Sequence, residues 1–410
     1  MANSSARQLY GVIGAGSFGT ALANILAENG DVLLFTRKQA VYDGMVQTRS
    51  NRQQVLHERV CPTLDLEQIC QRCTLLFPVT SSSDLREVMR LAAPYLKPYH
   101  LLIHGIKGLN VVAPNTANSF HNNPEHEQLA VEDIRTMSQI IYEESSVLRV
   151  GCLSGPNLAL NLAHHQPAAT TIASRFSEVI AQGRNALQSH RFRVYGNSDV
   201  FGVELAGAFS KLTSIASGIV GGLGWGENTT AMVLTRALHE IIRLGKALGA
   251  EYTTFLGLGG IGDMIAVAFT PKSRNYSVGY RLAKGEPLSD ILNDMSEVAE
   301  GIQTVKIAKY LANYYHIDTP IINALYAILF QQEALNEYVN RLMQEDFRDD
   351  VAFAHPRFGF AQRDETFRAW RDAERLALSL VERSRNRVML SEAETESHIL
   401  SYDPTHFCCC

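Results

Sequence analysis

Gly14-Ala15-Gly16-Ser17-Phe18-Gly19 spaces three glycines as G-x-G-x-x-G, between a short apolar run, Leu9 to Ile13, and an Ala- and Leu-rich run, Thr20 to Ala27. Strand, glycine turn and helix in that order form a phosphate-binding loop. Gly14 permits the tight turn, Gly16 lets the backbone approach a pyrophosphate, and Gly19 lets the helix pack close to the strand. The helix N-terminus adds free N–H groups and a partial positive charge. A structural glycine turn in another α/β domain shares the spacing, but the flanking strand and helix are the context that dinucleotide binding requires.

Three further clusters carry chemistry. Thr36-Arg37-Lys38 ends the next apolar run, where an NAD-preferring loop has an acidic residue for the ribose 2′-hydroxyl. Arg37 and Lys38 put two cations there instead. They favour NADPH, with NADH left open, against the plainer reading of solvated charges at a strand end. Lys107, between Gly105 and Gly108, follows an apolar run and so falls at the ligand edge of a sheet. Ser154-Gly155-Pro156-Asn157 is a second glycine turn opening a helix, and hence a second candidate anion or ligand site.

The elements that must position these residues alternate. Strand-like runs at Leu9 to Ile13, Asp31 to Phe35, Thr74 to Val79, His100 to Ile103, Arg149 to Leu153, Ala168 to Ala173 and Arg193 to Tyr195 are separated by helical stretches. That pattern predicts a mainly parallel sheet covered on both faces. The Ser81-Ser82-Ser83-Asp84 cluster is expected to cap a helix from Leu85 to Ala92. From about Asn197 helical periodicity takes over. A long helix runs from Asp199 or Phe201 to Ile219, Asn228-Thr229 is expected to cap the next, and Thr319-Pro320 to start one at Ile321. The expected architecture is α/β: an N-terminal Rossmann-type doubly wound sheet over 8–196, an all-α domain over 197–335, and a helical extension over 336–410.

Composition narrows the function classes. The 410 residues are 46% hydrophobic and 19% charged with net charge −5, an ordinary globular balance that favours neither nucleic acid nor a membrane surface as partner. The N-terminus lacks a signal pattern and no long uncharged apolar span stands out, so the expected location is the cytoplasm. Cys70 and Cys73 form a C-x-x-C without a second pair at zinc spacing, so no metal is expected and they read as ordinary thiols. Cys408, Cys409 and Cys410 end the sequence without the four-residue prenylation pattern.

Together with Gly202-Val203-Glu204-Leu205, Gly257 to Asp263, Ser273-Arg274-Asn275 and Glu300-Gly301, these motifs stand in the order and spacing of a known family. Over residues 8 to 335 the sequence resembles the NAD(P)-dependent glycerol-3-phosphate dehydrogenases of bacterial and plastid type. The resemblance implies reduction of dihydroxyacetone phosphate to sn-glycerol 3-phosphate, the backbone precursor of phospholipids, by a homodimer. It places Gly14, Gly16, Ser17, Phe18, Gly19, Arg37, Lys38, Ala159, Val298 and Glu300 on the cofactor, NADPH or NADH. It places Gly155, Asn157, Asp263, Ser273, Arg274 and Asn275 on the substrate, with Arg274 also near the cofactor and Lys107 on both ligands.

One position departs from the family pattern. A Lys-Asn pair is expected on the first long helix, its lysine carrying the proton, yet ungapped counting puts Ser210 in the lysine's place and Lys211 in the asparagine's. One residue along a helix is a rotation of about 100°. Either Lys211 reaches the site from its shifted base, or Lys107 transfers the proton with Ser210 as relay, or the chain is a catalytically impaired nucleotide- or metabolite-binding protein on the same fold. A dehydrogenase for a hydroxyacid, its carboxylate held by Arg274, is a further alternative.

Overall fold

Strand β1 (Leu9–Ile13) is central in an eight-stranded sheet. The other strands are β2 (Asp31–Phe35), β3 (Val60–Thr63), β4 (Leu75–Pro78), β5 (Leu101–His104), β6 (Arg149–Ser154), β7 (Ala168–Ser174) and β8 (Phe192–Asn197), in the spatial order β8-β7-β6-β5-β4-β1-β2-β3. The run β3-β2-β1-β4-β5-β6 is the order of a doubly wound dinucleotide fold, and all its pairings are parallel. The strand order reverses between β1 and β4, so their carboxyl ends leave the crevice at which ligands of such sheets bind. This computed structural model describes residues 7–111, 131–271, 273–295 and 299–331. They fall within the first of two compact units, Met1–Ala361; the expected extension over 336–410 and its terminal cysteines lie outside the described residues.

Apolar residues on both faces make the strands buried runs. Val12, Leu34 and Phe77 face one core, while Ile13, Leu33 and Leu76 face the other. Successive side chains point to opposite sides of a strand, so a sheet with helices on both faces needs apolar residues at every position. Cys70 and Cys73 lie in the second core, where burial pushes both thiols up to about 12. That fits the expected ordinary thiols, and no group of metal-ligating side chains occurs among the described residues.

The helical half is built on α2 (Val200–Gly222), with α1 being Ser17–Leu26 in the sheet half. Asp199 caps α2, its Oδ1 accepting from Gly202 N at 2.9 Å. By length and composition alone α2 is apolar enough to cross a membrane, but 94% of its most apolar window is buried inside the protein, as in the central helix of a core. Helices α3 (Glu227–Ala247), α4 (Asp263–Ala268), α5 (Arg274–Ala283), α6 (Glu300–Tyr314) and α7 (Pro320–Tyr326) pack around it. Contact between α2 and α5 is backbone to backbone: a Cβ on Gly279 would stand 2.0 Å from Ile215 O, and one on Gly218 would stand 2.1 Å from Tyr276 O.

Several local expectations are corrected. Strand β3 is added, a four-residue edge strand whose Pro62 weakens its signal. Strand β7 runs antiparallel to β6. Asp84 makes no side-chain cap, although Ser81 Oγ accepts from its N–H at 3.2 Å. Helix α3 starts at Glu227 after Gly226, ahead of the Asn228-Thr229 pair. Pro320 does begin α7, but Thr319 leaves it uncapped, and the Glu240 carboxylate of α3 accepts from Ile321 N at 2.6 Å and Ile322 N at 3.0 Å.

Candidate active site at the seam of sheet and helices

The glycine loop follows β1 as expected. Gly14 has φ +126°, and a Cβ there would lie 2.8 Å from Val79 O. A Cβ on Gly19 would collide with Gly14 O at 1.9 Å, so α1 rests directly on the turn. Gly16 has nothing within 4 Å of its Cβ position and is the N-cap of α1, which leaves that cradle open for a phosphate. The tight hairpin Asn51 to Gln54 braces the loop from outside: Asn51 Nδ2 donates to Ala15 O at 2.9 Å and Gln54 Nε2 to Ser17 O at 2.8 Å. Ser17 is exposed and Phe18 half-buried against Gly105.

Arg37 and Lys38 follow β2, both exposed. The Arg37 guanidinium pairs with Asp84 at 3.3 Å and Glu87 at 2.8 Å, so an incoming phosphate competes with two solvated carboxylates.

On the other side of the crevice, Lys107 follows β5 and reaches into the helical half. Its Nζ donates to Asp263 Oδ1 at 2.7 Å and to Gly155 O at 3.0 Å. Asp263 opens α4 with its side chain only 1% exposed. Its second oxygen, Oδ2, accepts from Ser210 Oγ at 2.7 Å. A carboxylate removed from water needs such partners on both oxygens. Beside this cluster, Ser154 Oγ and Asn157 Oδ1 are buried without a hydrogen-bond partner among the described residues, as polar atoms awaiting a ligand are.

Lys211 points elsewhere. It donates to the Lys107 carbonyl and to Glu300 Oε2. Glu300 Oε1 accepts from Ser82 N at 3.0 Å and Ser82 Oγ at 2.8 Å. Burial pushes the Lys211 amine's pKa down; Glu300 opposes that, and the Lys107 and Arg274 cations add to it. Burial also works to raise the Glu300 carboxyl, but the Lys211 charge and the donors from Lys211 and Ser82 outweigh it and hold the group below the usual range.

Ser273 is the N-cap of α5, with Arg274 and Asn275 in its first turn. Ser273 Oγ meets Ser214 Oγ at 3.0 Å, and Asn275 Oδ1 accepts from Gly301 N at 3.0 Å, which ties this turn to the start of α6. Ala159 begins the short helix after the second glycine turn. Val298 lies outside the described residues. Of the expected site residues, Lys107, Gly155, Ser210 and Asp263 thus meet at a buried knot on Asp263 and Lys211 and Glu300 at a second, while Arg37 pairs apart from both. Sequence reasoning had Ser154 only within a candidate anion- or ligand-binding turn, and it missed Ser82, which it treated as part of a cap.

Comparison with known proteins agrees with the fold. Residues 10–180 match the N-terminal domain and residues 199–340 the C-terminal domain of the NAD-dependent glycerol-3-phosphate dehydrogenase family. A glycerol-3-phosphate dehydrogenase (NAD(P)+) of Pseudomonas putida is 39% identical over 352 residues, 85% of this chain and 97% of that protein. That of Pseudomonas aeruginosa is 37% identical over 359 residues, covering 86% and 99%. The crystal structure of glycerol-3-phosphate dehydrogenase from Coxiella burnetii superposes with a TM-score of 0.72 at 28% identity, covering 83% of this chain and 99% of that one.

Proposed function

This chain belongs to the NAD-dependent glycerol-3-phosphate dehydrogenase family, and from that premise we propose that it reduces dihydroxyacetone phosphate to sn-glycerol 3-phosphate with NADPH or NADH, supplying glycerophospholipid synthesis. The observation that carries the site assignment is Lys107 on the buried Asp263 carboxylate, at 2.7 Å, beside the unpartnered Ser154 and Asn157 oxygens.

Gly14, Gly16, Ser17, Phe18 and Gly19 hold the cofactor, with Arg37 and Lys38 favouring NADPH, and the open Gly16 cradle fits its phosphates. Ala159, Val298 and Glu300 complete that side in our reading. When bound, the reduced nicotinamide supplies the hydride. Ser273, Arg274 and Asn275, at the positive end of α5, hold the substrate phosphate. Gly155 and Asn157 line the substrate, and Lys107 serves both ligands. Lys107 Nζ meets the ketone oxygen and gives it a proton as it becomes an alkoxide. Asp263 pairs with that ammonium at 2.7 Å and holds it in place. Ser210 holds Asp263 Oδ2 and so fixes the carboxylate's orientation. Lys211, tied to Glu300 and the Lys107 carbonyl, supports Lys107 from behind. The reading in which Lys107 transfers the proton and Ser210 assists is therefore preferred over direct transfer from Lys211.

The test is oxidation of NADPH or NADH by the purified chain with dihydroxyacetone phosphate, beside Lys107→Ala. Turnover that Lys107→Ala abolishes supports the assignment. No turnover above background leaves a binding protein only, and a large gain in Ser210→Lys would then mark proton delivery as the missing part. We further propose domains at 8–196 and 197–335 and a cytoplasmic homodimer, on the family resemblance. Light scattering that returns the monomer mass of 45.4 kDa would end the dimer proposal.

A further inference from the structure

His104 closes β5, three residues before Lys107, and is 1% exposed. Its Nε2 lies 3.1 Å from Glu204 Oε1 on α2 and 3.2 Å from Ser138 Oγ. Glu204 Oε1 also accepts from Ser138 N at 2.8 Å, in the first turn of the helix Met137–Glu144. On the other side of the ring, Ile106 N donates to His104 Nδ1 at 3.4 Å. Three elements therefore meet on one imidazole.

The arrangement specifies a tautomer. An imidazole nitrogen that accepts from a backbone N–H carries no proton, so the His104 proton is on Nε2. A carboxylate is acceptor-only and holds it there. With the proton so placed, the Nδ1 lone pair orients the Ile106 N–H, and with it the Gly105–Ile106 peptide group, one peptide ahead of the bond that joins Ile106 to Lys107. A partner that fixes a histidine's tautomer fixes whatever the other nitrogen holds.

We propose that Glu204 and His104 are positioning residues for Lys107. Glu204 sets the His104 tautomer, His104 anchors the Ile106 amide, and the loop then presents Lys107 Nζ to Asp263 and the substrate. The proposal rests on Lys107 as the proton donor. Glu204 stands on the same helix as Ser210, so the relay also keeps the Asp263 carboxylate and the Lys107 loop in register across the seam.

The test compares His104→Leu, His104→Asn, Glu204→Leu and the double variant His104→Leu/Glu204→Leu with wild type and Lys107→Ala. The readouts are kcat, the KM for dihydroxyacetone phosphate and the Kd of NADPH. His104→Leu is expected to lower kcat about 10- to 100-fold, as misplacement of a reacting group by roughly 1 Å does, with the NADPH Kd unchanged. His104→Asn, whose amide oxygen can accept from Ile106 N–H, restores most of that loss. The double variant loses no more than either single one, since the two act in series. Additive losses, no recovery in His104→Asn, or a weakened NADPH Kd with kcat intact each overturn the proposal. If Glu204→Leu does not fold, the contrast between His104→Leu and His104→Asn decides. Wild-type turnover in Lys107→Ala refutes the donor assignment instead, whereas an inactive Lys107→Ala beside a fully active His104→Leu refutes only the relay.

Discussion

Lys107 and Ser210 divide one carboxylate between them: Nζ takes Asp263 Oδ1 and Oγ takes Asp263 Oδ2, each at 2.7 Å. The serine thus does for the carboxylate's orientation what a second cation would do for its charge, and Lys107 is left as the ammonium paired with Asp263. Asp263→Asn should therefore lower kcat by about 10²–10⁴-fold, the cost of losing a positioned general acid, with NADPH affinity retained. Ser210→Ala should cost less in rate and about 1–3 kcal/mol in stability, because it leaves a buried acceptor short of a donor. Steady-state kinetics and denaturant unfolding of both variants check the pair; equal rate losses would contradict the separation of roles.

Lys211 and Glu300 make the second knot. Lys211→Met strips a partly buried carboxylate of its counter-ion and should destabilise the protein, by less than the ~3–5 kcal/mol of a fully buried pair, because Glu300 is 24% exposed and keeps its Ser82 donors. The double variant Lys211→Met/Glu300→Gln removes both charges and should recover much of that. A double-mutant cycle on unfolding free energies reads the coupling, and additivity would show that the two side chains do not depend on each other.

Arg37 bears on cofactor choice. Its side chain is 39% exposed and its guanidinium pairs with Asp84 and Glu87, so its attraction for a 2′-phosphate is partly offset. Arg37→Ala should weaken NADPH binding about tenfold, near one charge-assisted hydrogen bond, and leave NADH binding almost unchanged. Glu87→Gln removes a competing carboxylate and should strengthen NADPH binding. Titrations of both cofactors against these variants test the reading, and an unchanged NADPH Kd in Arg37→Ala would end it.

The two-layered plan was legible because it is written in local pattern. Buried strands such as Leu75–Pro78 are apolar at every position, and the glycine loop stands between a strand and a helix. Strand direction has no such signature, which is why the antiparallel β7 went unseen, and Val60–Thr63 is too short and too interrupted by Pro62 to stand out. At the site, Lys107 and Asp263 were readable from motifs. The direction of Lys211 was not, because a flexible stem goes where its partner is, and that partner, Glu300, lies 89 residues away in sequence. The pairing of His104 with Glu204 was not legible for the same reason: Glu204 stood out only as part of a motif and His104 not at all, and the two meet only across the seam.

Glu240 makes a prediction about pH. It is buried on α3 and accepts from the Ile321 and Ile322 amides at the start of α7. Burial pushes its carboxyl up to about 8; the two amides and Arg243 oppose that without cancelling it, and Asp318 adds to it. The unfolded chain releases this proton near pH 4.3, roughly the ordinary glutamate value, whereas the folded protein keeps it until about pH 8. Between those values the native state binds more protons than the unfolded state, so this group's contribution to stability is fully present below about pH 4 and is lost as the pH rises towards 8. The slope is at most about 1.4 kcal/mol per pH unit. Glu240→Gln keeps a carbonyl acceptor for one of the two amides and removes the titration. The thermal midpoint of wild type relative to Glu240→Gln should therefore fall steadily as the pH is raised from about 5 to about 8. A constant difference across that range would mean that Glu240 is ionised throughout and caps α7 as a carboxylate.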